Sequence, residues 1–112
     1  MRRGEVWWAE LPEPWGRRPV VLLARDEAYT LLSWVVVAPL TRRIRRLPTI
    51  VVLDPAYDSV PELSAVNVDN LQAVERAWLE TYVVPLRPER MREIDRAIHF
   101  ALGLRNCPGR AS

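Results

Sequence analysis

The chain has 112 residues, of which 49% are hydrophobic, and it carries a formal net charge of +2, which predicts one folded domain and excludes a disordered chain. No apolar run reaches the about 20 residues of a membrane-spanning helix, and the charged N-terminus lacks the apolar stretch of a secretory signal. The single cysteine, Cys107, has no partner for an internal disulfide, so we expect a cytoplasmic protein that is not bound to a membrane.

Five short segments rich in β-branched, aromatic and aliphatic residues predict β-strands. In chain order they are Glu5–Leu11, Arg18–Ala24, Ser33–Leu40, Pro48–Leu53 and Leu63–Val68. The third is apolar on both faces, which favours a central position in the sheet. A weaker candidate for a last strand is Tyr82–Leu86, and the segment Asp26–Leu32 is either a helical turn or a hairpin loop.

The clearest helix is predicted at Pro88–Leu102, with proline at the first helical position and Gly103 as the stop. Its apolar stripe, which we expect to face the core, consists of Met91, Ile94, Ile98, Ala101 and Leu102. The fold class is therefore mainly β with a C-terminal helix, as a small curled, barrel-like sheet with the helix packed on it. We expect one domain over residues 1–104 and a disordered tail over residues 105–112.

Basic residues are clustered in the first half of the chain. All 16 basic residues are arginine, and seven of them fall between residues 17 and 46, where only Asp26 and Glu27 oppose them. The seven are Arg17, Arg18, Arg25, Arg42, Arg43, Arg45 and Arg46. A local basic field of this kind is typical of proteins that bind a polyanion.

Two short segments combine arginine with residues that suit the end of a strand. Gly16–Pro19 leads into the second predicted strand, and Pro39–Arg43 ends the third. If these strands are neighbours, the Arg18 guanidinium and the Thr41 hydroxyl converge. Together they suit a phosphodiester, because the guanidinium fork binds non-bridging oxygens and the hydroxyl adds a hydrogen bond.

Several segments, in this order and spacing, resemble the MazF/PemK family of toxin–antitoxin ribonucleases over roughly residues 2–103. They are Arg3–Trp8, Gly16–Val21, Val37–Thr41, Leu47–Thr49, Val66–Asn70 and Ala101–Leu104. The resemblance implies a dimeric SH3-like barrel of the MazF/CcdB type that cuts single-stranded RNA without metal or cofactor. It also implies that Arg18 and Thr41 are catalytic.

Some members of that family use a glutamate three residues before the loop glycine, and Glu13 stands in this place. The chain departs from the family here, because Pro14 replaces a common glutamine and the loop from Leu11 to Gly16 is shorter than usual. The resemblance nevertheless makes Glu13 the nearest candidate for the general base. Since His99 is the only histidine, one chain cannot supply a histidine acid and a histidine base.

Residues around this pair are candidates for RNA binding. Trp15 can stack a base or fold onto the protein, and Arg17, Arg42 and Arg43 can follow phosphates. The other four tryptophans are assigned to core or dimer contacts. The same basic groove would accept an acidic segment of a cognate antitoxin.

The sequence leaves two alternative functions open. One is a non-catalytic toxin of the same fold that binds and poisons DNA gyrase, a family that lacks the Arg-Pro and Thr pairing. The other is a basic nucleic-acid-binding barrel without activity. The apolar strands and five tryptophans exceed what one small core readily covers, which predicts a homodimer.

Overall fold

The computed structural model describes residues 1–104. Within them lie seven strands and three helices. The strands are β1 (Glu5–Leu11), β2 (Gly16–Leu22), β3 (Trp34–Thr41), β4 (Ile50–Leu53), β5 (Ser64–Asn67), β6 (Gln72–Glu75) and β7 (Leu79–Pro85), and the helices are α1 (Ala28–Leu31), α2 (Pro55–Asp58) and α3 (Pro88–Ala101). The predicted tail, including Cys107, lies outside the described residues, and the predicted domain boundary stays a prediction.

All strand pairs are antiparallel, in the order β4-β5-β3-β2-β1-β7, and β6 also pairs with β3. The central position predicted for β3 is confirmed, since this strand pairs with β2, β5 and β6. The hydrogen-bonded path has two ends, at β4 and β7, within the described part of the chain. The mainly β fold with a C-terminal helix is thus confirmed, whereas the closed SH3-like barrel is not.

Strand β6 is the one strand of the described residues that the sequence did not predict. Only Val74 of its four residues is buried, so it lacks the apolar run that indicates a strand. It forms because β5 pairs with β3 only at Leu40 and Thr41, which leaves the edge of β3 opposite β2 free from Trp34 to Val37. Strand β2 itself ends two residues earlier than predicted, because the amides of Leu23 and Ala24 both donate to Val36 O instead of continuing the ladder.

Helix α3 packs on the sheet largely as its periodicity predicts. Ile94 and Ala97 are buried, and Met91 and Ile98 pack against the same core cluster. The expectation for Leu102 is wrong, since it is 57% exposed. It follows the buried row by one residue, which turns its side chain about 100° away from the core. Gly103 ends the helix with φ +64°, a conformation that glycine adopts without strain.

A buried ion pair fixes α3 to α2. The Arg90 guanidinium donates through Nε to Asp58 Oδ1 and through Nη2 to Asp58 Oδ2, both at 3.0 Å. The Asp58 side chain is fully buried, and its Oδ2 also accepts from the Asp54 amide at 2.8 Å. The hydrogen bond to Asp58 is the main cause that raises the pKa of Arg90. The carboxylate therefore has three donors in a site closed to water.

The buried tyrosine of α1, Tyr29, should make the folded protein less stable at high pH. Its hydroxyl donates to Ala24 O at 3.0 Å, and burial raises its pKa from 10.0 to about 12. Because the unfolded chain ionises first, this contribution is complete below pH 10 and is lost as pH rises toward 12. We expect urea titrations to show a fall on the order of 2 kcal/mol in the free energy of unfolding.

The matched controls are two tyrosine variants. Tyr29→Phe should remove most of this pH dependence, whereas Tyr82→Phe, at an exposed tyrosine, should keep it. An unchanged dependence in Tyr29→Phe would show that the buried phenol is not its source.

Candidate active site

The register of the central strands brings the two predicted catalytic residues together. Val20 pairs with Pro39, and Val21 pairs with Ala38. The same register, continued by two residues toward the end of β3, sets Arg18 opposite Thr41. Thr41 is the last residue of β3, and Arg18 lies two residues after the start of β2, so the sheet holds both side chains near a loop, where they are partly exposed.

Two backbone carbonyl oxygens orient the Arg18 side chain. Its Nε donates to Trp15 O at 3.1 Å, and its Nη1 lies 3.5 Å from Leu40 O. The guanidinium also lies over the Trp15 ring, 5.3 Å from the centroid. Among the described residues no carboxylate forms an ion pair with it. Arg18 is therefore held in place while its charge stays available to an anion.

The Thr41 hydroxyl is oriented by the loop that follows β3. Its Oγ1 accepts a hydrogen bond from the Arg43 amide at 3.0 Å. One lone pair of the oxygen is thus occupied, and the hydroxyl hydrogen remains free to donate. This side chain can act as a hydrogen-bond donor to an oxygen placed between it and Arg18.

Two clefts meet at Arg18 and Thr41, which line both of them. The first, which we call the Trp8 cleft, has a volume of about 340 Å³. The second, the Trp15 cleft, has a volume of about 350 Å³. The other polar and aromatic residues of the Trp8 cleft are Trp8, Arg17, Arg42, Glu62 and Ser64. Those of the Trp15 cleft are Trp15, Arg43, Arg45, Asn67, Asp69 and Asn70.

This fold and this site have relatives among known proteins. Residues 2–102 match the family of PemK-like, MazF-like toxins of type II toxin–antitoxin systems. The chain belongs to this family. The probable endoribonuclease MazF5 of Mycobacterium tuberculosis strain H37Rv is 47% identical over 100 residues, which are 89% of this chain and 91% of that protein.

Two solved structures show the same architecture. An endoribonuclease from a mycobacterial species, in complex with its cognate antitoxin, has a TM-score of 0.82 at 28% identity and covers 94% of this chain and 97% of its own. The Mycobacterium tuberculosis toxin MazF-mt6 has a TM-score of 0.81 at 30% identity and covers 90% and 98%. The open sheet with its C-terminal helix is therefore the MazF fold.

The residues predicted to bind RNA in this MazF-like chain are divided between the two clefts. Arg17 and Arg42 line the Trp8 cleft, and each already has a carboxylate partner. Arg17 lies 3.4 Å from Glu80 and 4.5 Å from the centroid of Trp8, and Arg42 lies 3.0 Å from Glu62. Arg43 and Trp15 line the other cleft, where no ion pair to Arg43 occurs among residues 1–104.

Glu13 is the one predicted site residue of the MazF-like chain that the structure does not bring to the clefts. It is exposed in the turn that the Trp15 amide closes on Pro12 O at 3.0 Å. Two other carboxylates, Glu62 and Asp69, do line the clefts. Trp8, assigned to core or dimer contacts, is half-buried and lies under the Arg17 guanidinium as part of a cleft wall.

Residues 1–104 contain no group of three or more histidine, cysteine, aspartate or glutamate side chains placed to hold a metal ion. No helix in the described part of this MazF-like chain is long and apolar enough to cross a membrane. The polar groups that line the two clefts are guanidinium, hydroxyl, carboxylate and amide groups.

Proposed function

We propose that this chain is a cytoplasmic endoribonuclease toxin that cuts single-stranded RNA at selected sequences by attack of a ribose 2′-OH. The observation that carries the proposal is the position of Arg18 and Thr41 on the shared wall of two clefts, with the Arg18 charge unpaired within residues 1–104. The mycobacterial relative named as a probable MazF endoribonuclease supports it.

In the proposed reaction the RNA supplies its own nucleophile. The 2′-oxygen forms a bond to the adjacent phosphorus and loses its proton to a base, while the bond from phosphorus to the 5′-oxygen breaks. The leaving oxygen takes up a proton, so the products carry a 2′,3′-cyclic phosphate and a 5′-OH. Charge develops on the non-bridging oxygens, where Arg18 stabilises it and Thr41 donates a hydrogen bond.

Positioning supplies the second part of the rate enhancement. The Trp15 and Leu40 carbonyl oxygens hold the Arg18 guanidinium in place. Its remaining N–H donors are therefore already oriented and need little reorganisation during the reaction. Glu13 is proposed as the general base on the family resemblance alone. The RNA follows Arg17, Arg42 and Arg43 and stacks a base on Trp15.

The proposed partners follow from the surface of the chain. A cognate antitoxin would lay an acidic segment along the clefts and block Arg18, in keeping with the antitoxin complex of the mycobacterial relative. A second copy of the chain would cover an apolar groove lined by Leu32, Trp34, Val36 and Leu102, all of them exposed. The toxin is therefore proposed to act as a homodimer.

Cleavage by the purified protein should not depend on a divalent metal. We expect full activity on single-stranded RNA in excess EDTA, because the proposed chemistry uses only side chains and the 2′-OH. Product ends should be 2′,3′-cyclic phosphate, or its opened form, and 5′-OH. RNA in which the 2′-OH at the cut site is replaced by hydrogen is the matched substrate control and should stay intact.

Two results would contradict this proposal. Loss of cleavage in EDTA with recovery in Mg²⁺, or 5′-phosphate ends, would show that the mechanism is wrong. Intact RNA under all conditions, together with inhibition of DNA gyrase, would instead indicate the non-catalytic toxin.

A further inference from the structure

We propose that the Trp15 cleft is a nucleobase site in which the Asp69 carboxylate selects guanine next to the scissile phosphate. This inference rests on the proposed function, since it assigns the base beside the phosphate that Arg18 and Thr41 bind. It adds a specificity-determining residue that lies on neither of the strands carrying that pair.

The position of the cleft makes it a site for the neighbouring nucleotide. Arg18 and Thr41 form one of its walls, so a phosphate held between them places the adjoining sugar and base at the cleft entrance. A volume of about 350 Å³ lies within the range of small-molecule sites. The Trp15 ring, covered on one face by the Arg18 guanidinium at 5.3 Å, offers an aromatic surface for stacking.

Asp69 is held rigidly in this cleft. It lies in the 3₁₀ turn Val68–Asn70, where the Asp69 amide donates to Asn67 Oδ1 at 2.9 Å. Val68 is 1% exposed and donates its amide to Thr49 O at 2.9 Å, which anchors the turn to the sheet. The carboxylate is therefore presented from a fixed backbone, as a group that reads a ligand must be.

The charge of Asp69 is unusual for a cleft that binds a polyanion. Arg43 and Arg45 line the same cleft, yet within residues 1–104 Asp69 forms no ion pair. A free carboxylate repels phosphate, so its presence weakens backbone binding. The carboxylate favours RNA binding only where it accepts hydrogen bonds from N–H donors, and on RNA these donors lie on base edges.

The pattern of donors distinguishes the four bases. The Watson–Crick edge of guanine presents two adjacent donors, N1–H and N2–H, which match the two oxygens of a carboxylate. Cytosine presents one donor, N4–H, beside the acceptors N3 and O2, adenine one donor beside the acceptor N1, and uracil one donor between two acceptors. The carboxylate thus favours guanine, and the neighbouring Asn70 amide can donate to guanine O6.

The test uses Asp69→Asn, which keeps the shape of the side chain and replaces one acceptor oxygen with a donor. Total RNA is cut with wild type and variant, and the sequences flanking the cut ends are counted. Wild type should require guanine at one flanking position, and the variant should lose this preference roughly ten- to hundred-fold. Glu27→Gln, which removes the same charge at an exposed residue outside both clefts, should keep the wild-type pattern.

A binding measurement separates this inference from the proposed function. The probes are 11-residue oligothymidylates with one central guanine, inosine or adenine, which lack the 2′-OH. Wild type should bind the guanine probe about tenfold more tightly than the inosine probe, which lacks the N2 donor, and Asp69→Asn should bind both alike. Equal binding by wild type, or cut sites without guanine, overturns the inference. Absence of any cleavage overturns the proposed function, and the binding result then decides this inference alone.

Discussion

Replacing Arg18 with alanine should lower the rate of RNA cleavage roughly 100- to 1,000-fold while the fold is kept. Its guanidinium is the cationic group in the wall that the two clefts share, and it has no carboxylate partner within residues 1–104. Its removal also frees the Trp15 and Leu40 carbonyl oxygens, which water can reach in an open cleft. Stability should therefore fall by only about 1 kcal/mol.

Single-turnover cleavage of one oligoribonucleotide measures this effect, with circular dichroism as the check on folding. Arg18→Lys should recover little activity, because an ammonium group cannot hold the two carbonyl oxygens and a phosphate together. Arg96→Ala, at an exposed helical arginine outside both clefts, is the matched control and should cut normally. Cleavage by Arg18→Ala within a few-fold of wild type would remove this residue from the reaction.

Breaking the buried ion pair between α2 and α3 should produce the largest loss of stability. Asp58→Ala leaves the Arg90 guanidinium, whose side chain is only 16% exposed, without its bidentate partner and with only the partly exposed Glu93 at 2.9 Å. Removing one partner of a buried ion pair costs about 3–5 kcal/mol, a large part of the stability of a domain of this size. Equilibrium unfolding in urea measures this loss. The urea concentration at the midpoint should fall, while the slope of the unfolding free energy against urea concentration stays unchanged.

An exposed ion pair provides the comparison. Arg42→Ala breaks the pair with Glu62, in which the Arg42 side chain is 82% exposed, and should cost less than about 1 kcal/mol. The double variant Asp58→Ala/Arg90→Met should recover part of the loss, because it removes both buried charges and leaves only the partly exposed Glu93 without its partner. If the loss in the free energy of unfolding of the double variant equals the sum of the losses of the two single variants, the two residues act independently.

The sequence predicted most of the fold because its strong signals are local. β1 was predicted to the residue, and β3 and α3 to within one residue, since their apolar patterns are long and continuous. β6 was not predicted, because its pairing depends on the free edge of β3 and not on its own composition. The open path of the sheet could not be foreseen either, since closure depends on pairing between strands far apart in sequence.

The same distinction applies to the candidate site. Arg18 and Thr41 were recognisable as a pair because each stands at the end of a strong strand, and neighbouring strands bring such ends together. Glu62 was not recognised, and Asp69 was noted only within the segment Val66–Asn70 that resembles the family, since both residues lie in short connecting segments without a periodic pattern. The position of Glu13 outside both clefts could not be inferred, because the short turn after β1 determines where it lies.

The ion pairs of Arg17 with Glu80 and of Arg42 with Glu62 affect how much of the basic charge RNA meets. Binding of RNA to a basic surface gains free energy from the release of cations condensed on its phosphates, and each unneutralised arginine adds to that release. Arg17 and Arg42 already carry an internal counterion, so a phosphate must displace a carboxylate before it gains their charge. Counterion release therefore draws mainly on Arg18, Arg43 and Arg45, and the affinity of the surface depends less steeply on salt than its number of arginines implies.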